Sequence, residues 1–128
     1  MSKTSVNARF AMIQAFASFM DSGSQSATVI FYEGVQPVDT SVSADSNNAL
    51  VTLTFPEPCV KEVTPVYVEL HPTNTGSVVK SGTAAWARVY NGAGEVAADL
   101  TVGTDITLAN TNLALGGTLS VTSIKLRP

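Results

Sequence analysis

Residues 82–103, GTAAWARVYNGAGEVAADLTVG, constrain the fold more than any other part of the chain. Two alternating runs flank a glycine-bearing turn at Asn91-Gly92-Ala93-Gly94. Side chains alternate across a strand with a period of two, and an Asn-Gly turn between two such runs predicts a β-hairpin. On the first arm Trp86, Arg88 and Tyr90 share one face, while Ala85, Ala87 and Val89 share the other. On the second arm Val96, Ala98, Leu100 and Val102 oppose Glu95, Ala97, Asp99 and Thr101. The small apolar face suits a core; the large amphipathic stripe needs some other neighbour. Three readings are open for Trp86, Arg88 and Tyr90. Trp86 anchors the core with Arg88 snorkelling to its edge, the stripe meets another protein, or its rings stack on sugar.

The rest of the chain has the same strand character behind one helix. Val6, Phe10, Ile13, Ala17 and Met20 recur at helical spacing, with Thr4 or Ser5 as the N-cap and Asp21-Ser22-Gly23 as the stop, so residues 5–20 are expected to be an amphipathic helix. Met12, Phe16 and Phe19 widen its apolar face. A helix this short is marginal alone in water and must dock, on its own sheet or on a neighbouring subunit, which makes Phe10, Phe16 and Phe19 further interface candidates. The same pattern, interrupted by Gln14, argues against a cleaved signal segment despite Lys3 and Arg9, and predicts a retained N-terminus on a chain made in the cytoplasm.

Residues 27–33 are apolar on both parities, as in a strand covered on two sides. Residues 35–48 are polar and turn-rich and predict a long exposed loop. Residues 50–55 alternate, with Val51, Leu53 and Phe55 inward, until Pro56 and Pro58 stop them. Residues 63–70, bracketed by Pro65 and Pro72, read as an edge strand, and 106–108 as a short strand. In 118–126 the parity slips between Val121 and Ile124, which predicts a bulge near Thr122-Ser123. The fold class is therefore all-β: an antiparallel β-sandwich or jelly roll with one N-terminal amphipathic helix. Residues 1–22 are a helical arm and 23–128 a single β-sandwich domain.

Composition narrows function mainly by exclusion. Only 13% of the 128 residues are Asp, Glu, Lys or Arg, about half the roughly 25% of ordinary soluble domains. Hydroxyls, amides and small side chains must cover such a surface, and they cost far less to desolvate than ions, which favours assembly. A net charge of −3 with scattered basic residues gives nucleic acid nothing to hold. No apolar run is long enough to span a membrane. The single Cys59 cannot form an intramolecular disulfide and is expected to be buried.

One histidine, His71, cannot supply a nucleophile–base–orienter set. Together with Glu69 it leaves any metal site short of ligands. Asp99 and Asp105 are a conceivable carboxylate pair, though nothing sets the spacing that glycoside hydrolysis needs. Gly92 and Gly94 lack the third glycine and the Lys-Ser/Thr ending of a phosphate loop. No catalytic residue, cofactor or metal is expected.

The order of an N-terminal helix, YEG, LVTLTFP, GTAAWARVYNGAGEVAADLTVG, DITL and GGTLSVTSIKL resembles small virion structural proteins of tailed bacteriophages, of the capsid cement or decoration type. Gly-Thr-Ala, an aromatic-x-Arg on a strand, a glycine turn and a closing Gly-Gly-Thr-x-Ser-Val-Thr-Ser strand carry the likeness over about residues 10–128, Arg88 and 116–123 above all. The resemblance implies a non-enzymatic protein on the capsid surface, contacting the major capsid protein and copies of itself. It carries over no catalytic residue. A tail, neck or fibre-associated subunit and a host-surface glycan-binding module are the alternatives.

Overall fold

The computed structural model describes residues 5–127. Thr4, the alternative helix cap, and Lys3 lie outside the described residues. Helix α1 spans Val6–Met20, with the Ser5 hydroxyl accepting the Ala8 N–H at 3.1 Å as N-cap. It stops at Asp21, and Gly23 turns the chain away at φ +98°. Burial runs down one side of its C-terminal half: Ile13 and Met20 are enclosed, and Phe16 and Ala17 pack against the core. Val6 and Met12 remain exposed.

Eleven strands follow among the described residues: β1 Thr28–Tyr32, β2 Ala49–Thr54, β3 Val60–Val63, β4 Val68–Leu70, β5 Gly76–Ser77, β6 Gly82–Thr83, β7 Trp86–Tyr90, β8 Val96–Thr101, β9 Asn112–Leu113, β10 Thr118–Leu119 and β11 Ile124–Leu126. They form several antiparallel sheets and no closed barrel. The largest has the order β2-β1-β7-β8, and a second has the order β11-β4-β3. Helix α1 lies against β3 and β4, so it docks on its own chain. The pairs β5–β10 and β6–β9 form one irregular ribbon, in which 76–83 runs beside 112–119. The ribbon flanks β2, with the Val79 N–H donating to Leu50 O and the Asn74 N–H to Thr54 O, both at 2.9 Å.

The hairpin β7–β8 is present as the alternation predicts. Asn91 N–H donates to Glu95 O at 2.9 Å and Gly94 takes φ +81°. Its inner face, Ala87, Val89 and Leu100, joins Val29, Phe31, Val51 and Leu53 in one buried cluster. That cluster also takes in Val68, Leu70, Ile124 and Leu126 from the second sheet and Ile13 and Met20 from the helix. Each such side chain contributes about 1.5–3 kcal/mol when fully enclosed. The hairpin tip is clasped by the end of the helix: Gln25 N–H donates to Gly92 O at 3.1 Å and Asn91 Nδ2 to Phe19 O at 3.0 Å. Backbones meet so closely there that a Cβ on Gly92 would lie 2.2 Å from Gln25 O.

Three expectations need correction. Residues 63–70 are not an edge strand. Pro65 sits in a turn, closed by the Thr64 N–H to Tyr67 O at 2.9 Å, that joins β3 to β4, and β4 lies between β11 and β3. A proline in a turn removes no ladder hydrogen bond, so it says nothing about the strand after it. Residues 106–108 form no strand; Ile106 makes only an isolated bridge to Val102. The parity slip in 118–126 is a break rather than a bulge: β10 pairs with β5, and β11, after Ser120–Ser123 intervene, pairs with β4. The ribbon strands β5, β6, β9 and β10 have no separate signature, because two residues are too short for a period to register.

Candidate functional site

The Trp86, Arg88 and Tyr90 stripe is the sequence feature with the most binding character, and its surroundings are built by three segments. In β7 these side chains leave the face opposite the core. Antiparallel pairing sets Tyr32 of β1 opposite Trp86, and Asp99 of β8 opposite Arg88. Tyr32 and Trp86 stack, with ring centroids 4.4 Å apart and planes 16° from parallel. The Arg88 guanidinium lies 5.4 Å from the Trp86 ring centre and grips Asp99 with both arms, Nε to Oδ1 at 2.7 Å and Nη2 to Oδ2 at 3.0 Å. The fork matches the carboxylate, giving a bidentate pair.

The third segment is the loop 35–48. It crosses the stripe, and its main chain supplies the last partner of Arg88, whose Nη1 donates to Val42 O at 2.7 Å. The Thr101 hydroxyl donates to Gln36 Oε1 at 2.7 Å and anchors the loop a second time. Beneath it Trp86 is 3% exposed and Arg88 2%. Above it Val35 and Val38 are 93% exposed, and Val42 is also open to solvent. In the free chain the stripe is thus roofed by its own loop, and the loop presents apolar side chains where the aromatic rings would have been.

The electrostatics follow from this enclosure. The Asp99 carboxylate holds the Arg88 guanidinium even more firmly protonated than usual, against the opposing pull of burial. Burial first, and then the neighbouring Tyr90 hydroxyl, push the Tyr32 phenol well above its ordinary value. In the loop, hydrogen bonds from the Ser41 hydroxyl and N–H hold the Asp39 carboxyl below the usual range. Burial raises the Cys59 thiol far above its ordinary value, and its Sγ donates to Met20 O at 3.6 Å inside the core.

The other candidates are scattered. Phe10, Phe16 and Phe19 are half-buried along α1, which packs on β3 and β4, whereas the stripe lies on the β1–β7–β8 face. Asp99 is taken by Arg88, and Asp105 Oδ2 accepts the Thr101 N–H at 2.9 Å. Glu69 accepts from the Ser123 hydroxyl at 2.9 Å. Among the described residues no three His, Cys, Asp or Glu side chains gather closely enough to hold a metal ion, and no helix is long and apolar enough to cross a membrane.

Tyr32, Gln36 and Val42 were not singled out by sequence. Asp99 as the partner of Arg88 was missed for a definite reason: a bulge between Val89 and Tyr90 shifts the hairpin register by one. A one-residue shift moves every side chain to the other face, and only this one sets Asp99 opposite Arg88. No family model matches the chain, and comparison with curated proteins and with solved structures gives no match either.

Proposed function

We propose that this chain is a non-enzymatic structural subunit of a tailed-phage virion, a cement or decoration protein seated on the outer face of the capsid against the major capsid protein and copies of itself. The observation that carries the assembly half of this reading is the surface. Val6, Met12, Val35, Val38, Val66, Val79 and Leu115 stand exposed on a body with few charges. Apolar side chains spread over a charge-poor exterior are readily covered by neighbours, because little ion desolvation opposes contact. The identity of the assembly rests on the motif order in 82–103 and 116–123. We further infer a sandwich-type body, since one core cluster draws on both the β2-β1-β7-β8 and the β11-β4-β3 sheets.

In this role the protein acts by adding contact area across coat subunits, and repetition over the shell multiplies a modest contact through multivalency. Particles lacking the protein are expected to lose packaged DNA at lower temperature than complete ones, and more readily in low salt. Its copy number in purified particles is expected in the hundreds, on the order of the coat subunit number that multivalent clamping needs. Equal heat resistance with and without the protein removes the cement role, and a dozen copies or fewer places it at the neck or tail.

A further inference from the structure

Every hydrogen bond of the 111–121 backbone either closes its own turn or runs to the same neighbour, 73–84. Thr111 O accepts from Ala84, Gly116 N–H donates to Val78 O, Val78 N–H donates to Gly117 O, and Val121 O accepts from Thr73. Register pairing of β9 with β6 and of β10 with β5 completes that side. The Asn112 N–H turns instead to the Asn110 side chain at 3.0 Å, and the Leu115 N–H to the Ser81 hydroxyl across the ribbon. The outer edges of β9 and β10 have no partner strand among the described residues. They border a groove of about 530 Å³, lined by residues including Leu108, Asn112, Leu119 and Val121, none of them charged.

An open edge is a template for another strand, and proteins ordinarily blunt such edges with charge or proline. Three other outer strands follow that rule, and β2, which carries no charge, has its outer side taken by the ribbon. The edge strand β8 carries Asp99 and is flanked by Glu95 and Asp105, β3 carries Lys61 and Glu62 and runs into Pro65, and β11 carries Lys125 with Arg127 beside it. Residues 111–121, TNLALGGTLSV, contain neither a charge nor a proline. At the ribbon's bend Leu115 and Val79 are each 67% exposed.

We propose that this edge is the surface by which two copies of the chain associate, β10 and the residues beside it pairing antiparallel with their own image about a two-fold axis. A second copy is the occupant the charges favour. Two molecules of net charge −3 repel, and like charges set opposite one another across a strand pair are unfavourable. The uncharged edge is where a copy meets itself without that penalty, and an isologous contact requires a self-complementary patch. Pairing would satisfy the open backbone groups along this edge. The inference deepens the reading of the chain as an assembling subunit, but it does not depend on the capsid as partner.

The test is the mass of the purified chain by sedimentation equilibrium over a hundredfold range of concentration, beside the variants Leu115→Glu and Ser120→Lys. Both positions are exposed, so neither change disturbs the core. The expected result is a concentration-dependent dimer whose dissociation constant rises about tenfold or more in each variant. Single cysteines placed at Asn112, Ala114, Thr118 and Ser120 are expected to yield an oxidative cross-link between copies at the position nearest the axis. One placed at Glu62 is expected to yield none. A chain monomeric throughout, a dimer indifferent to both charges, or a cross-link only at Glu62 overturns the proposal. Incorporation into particles, measured separately on the same variants, reports on the capsid contact alone.

Discussion

Arg88 draws three different kinds of partner to one enclosed side chain. Its guanidinium meets a carboxylate, an indole ring and a loop carbonyl while almost wholly enclosed. A buried ion pair adds little net stability, because desolvation offsets the attraction, but removing one partner strands the other. Arg88→Met is therefore expected to lower unfolding free energy by about 3–5 kcal/mol in denaturant titration, and the double change with Asp99→Leu to recover most of that loss. Cleavage within 36–45 by a dilute protease is expected to quicken in both, because both lose the bond to Val42 O. Unchanged cleavage would mean that Gln36 alone holds the loop. At the hairpin tip, Gly92→Ala places a methyl group against Gln25 O, and a loss of at least about 2 kcal/mol is expected from the same titration. The aromatic stripe was legible in the sequence as a stripe. Its covering was not, because a loop rich in Ser, Asp and Asn carries no sign of where it will lie.

Among the elements, α1 is divided between two environments. Its C-terminal half is tied down by Ile13 and Met20, by Asn91 Nδ2 on Phe19 O and by the Cys59 N–H on Asp21 Oδ1 at 2.7 Å. The N-terminal half has Val6 and Met12 in solvent and is steadied by its Ser5 cap and a half-buried Phe10. Ile13→Ala is expected to cost about 2–5 kcal/mol, whereas Met12→Ala should change stability by less than about 0.5 kcal/mol. Amide exchange is expected to be slower from Ile13 onward than before it; uniform protection along the helix would contradict the division. The helix bounds were readable because capping and stop residues act locally. Which turns of the helix dock depends on β3 and β4, and β3 itself was not recognised as a separate strand. The hairpin likewise was plain in outline, but the bulge that brings Asp99 to Arg88 was not.

At the scale of the whole molecule, alkali is the expected weak point. Cys59 and Tyr32 are both held neutral by burial, with folded-state values raised above ordinary values of 9.0 and 10.0. A raised pKa means that the folded form keeps a proton the unfolded chain has begun to release. The stability contributed by these groups is complete below pH 9.0 and is lost as pH rises beyond 9.0 and then 10.0 toward the folded-state values. The melting temperature should therefore fall across that window, and Cys59→Ala should soften the first part of the fall. A flat profile there would contradict their enclosure. By itself the sequence determined what neighbouring residues decide among themselves: the helix and its ends, the alternating strands, the hairpin turn and the shortage of charge. These follow from backbone sterics, capping and side-chain period, which act over a few residues. Tertiary structure alone decided that β4 is central, that the last strand breaks between two sheets, that Arg88 faces Asp99, and that the stripe lies beneath 35–48. Each of these depends on which distant segments meet, and the register of that meeting is set by the shared core.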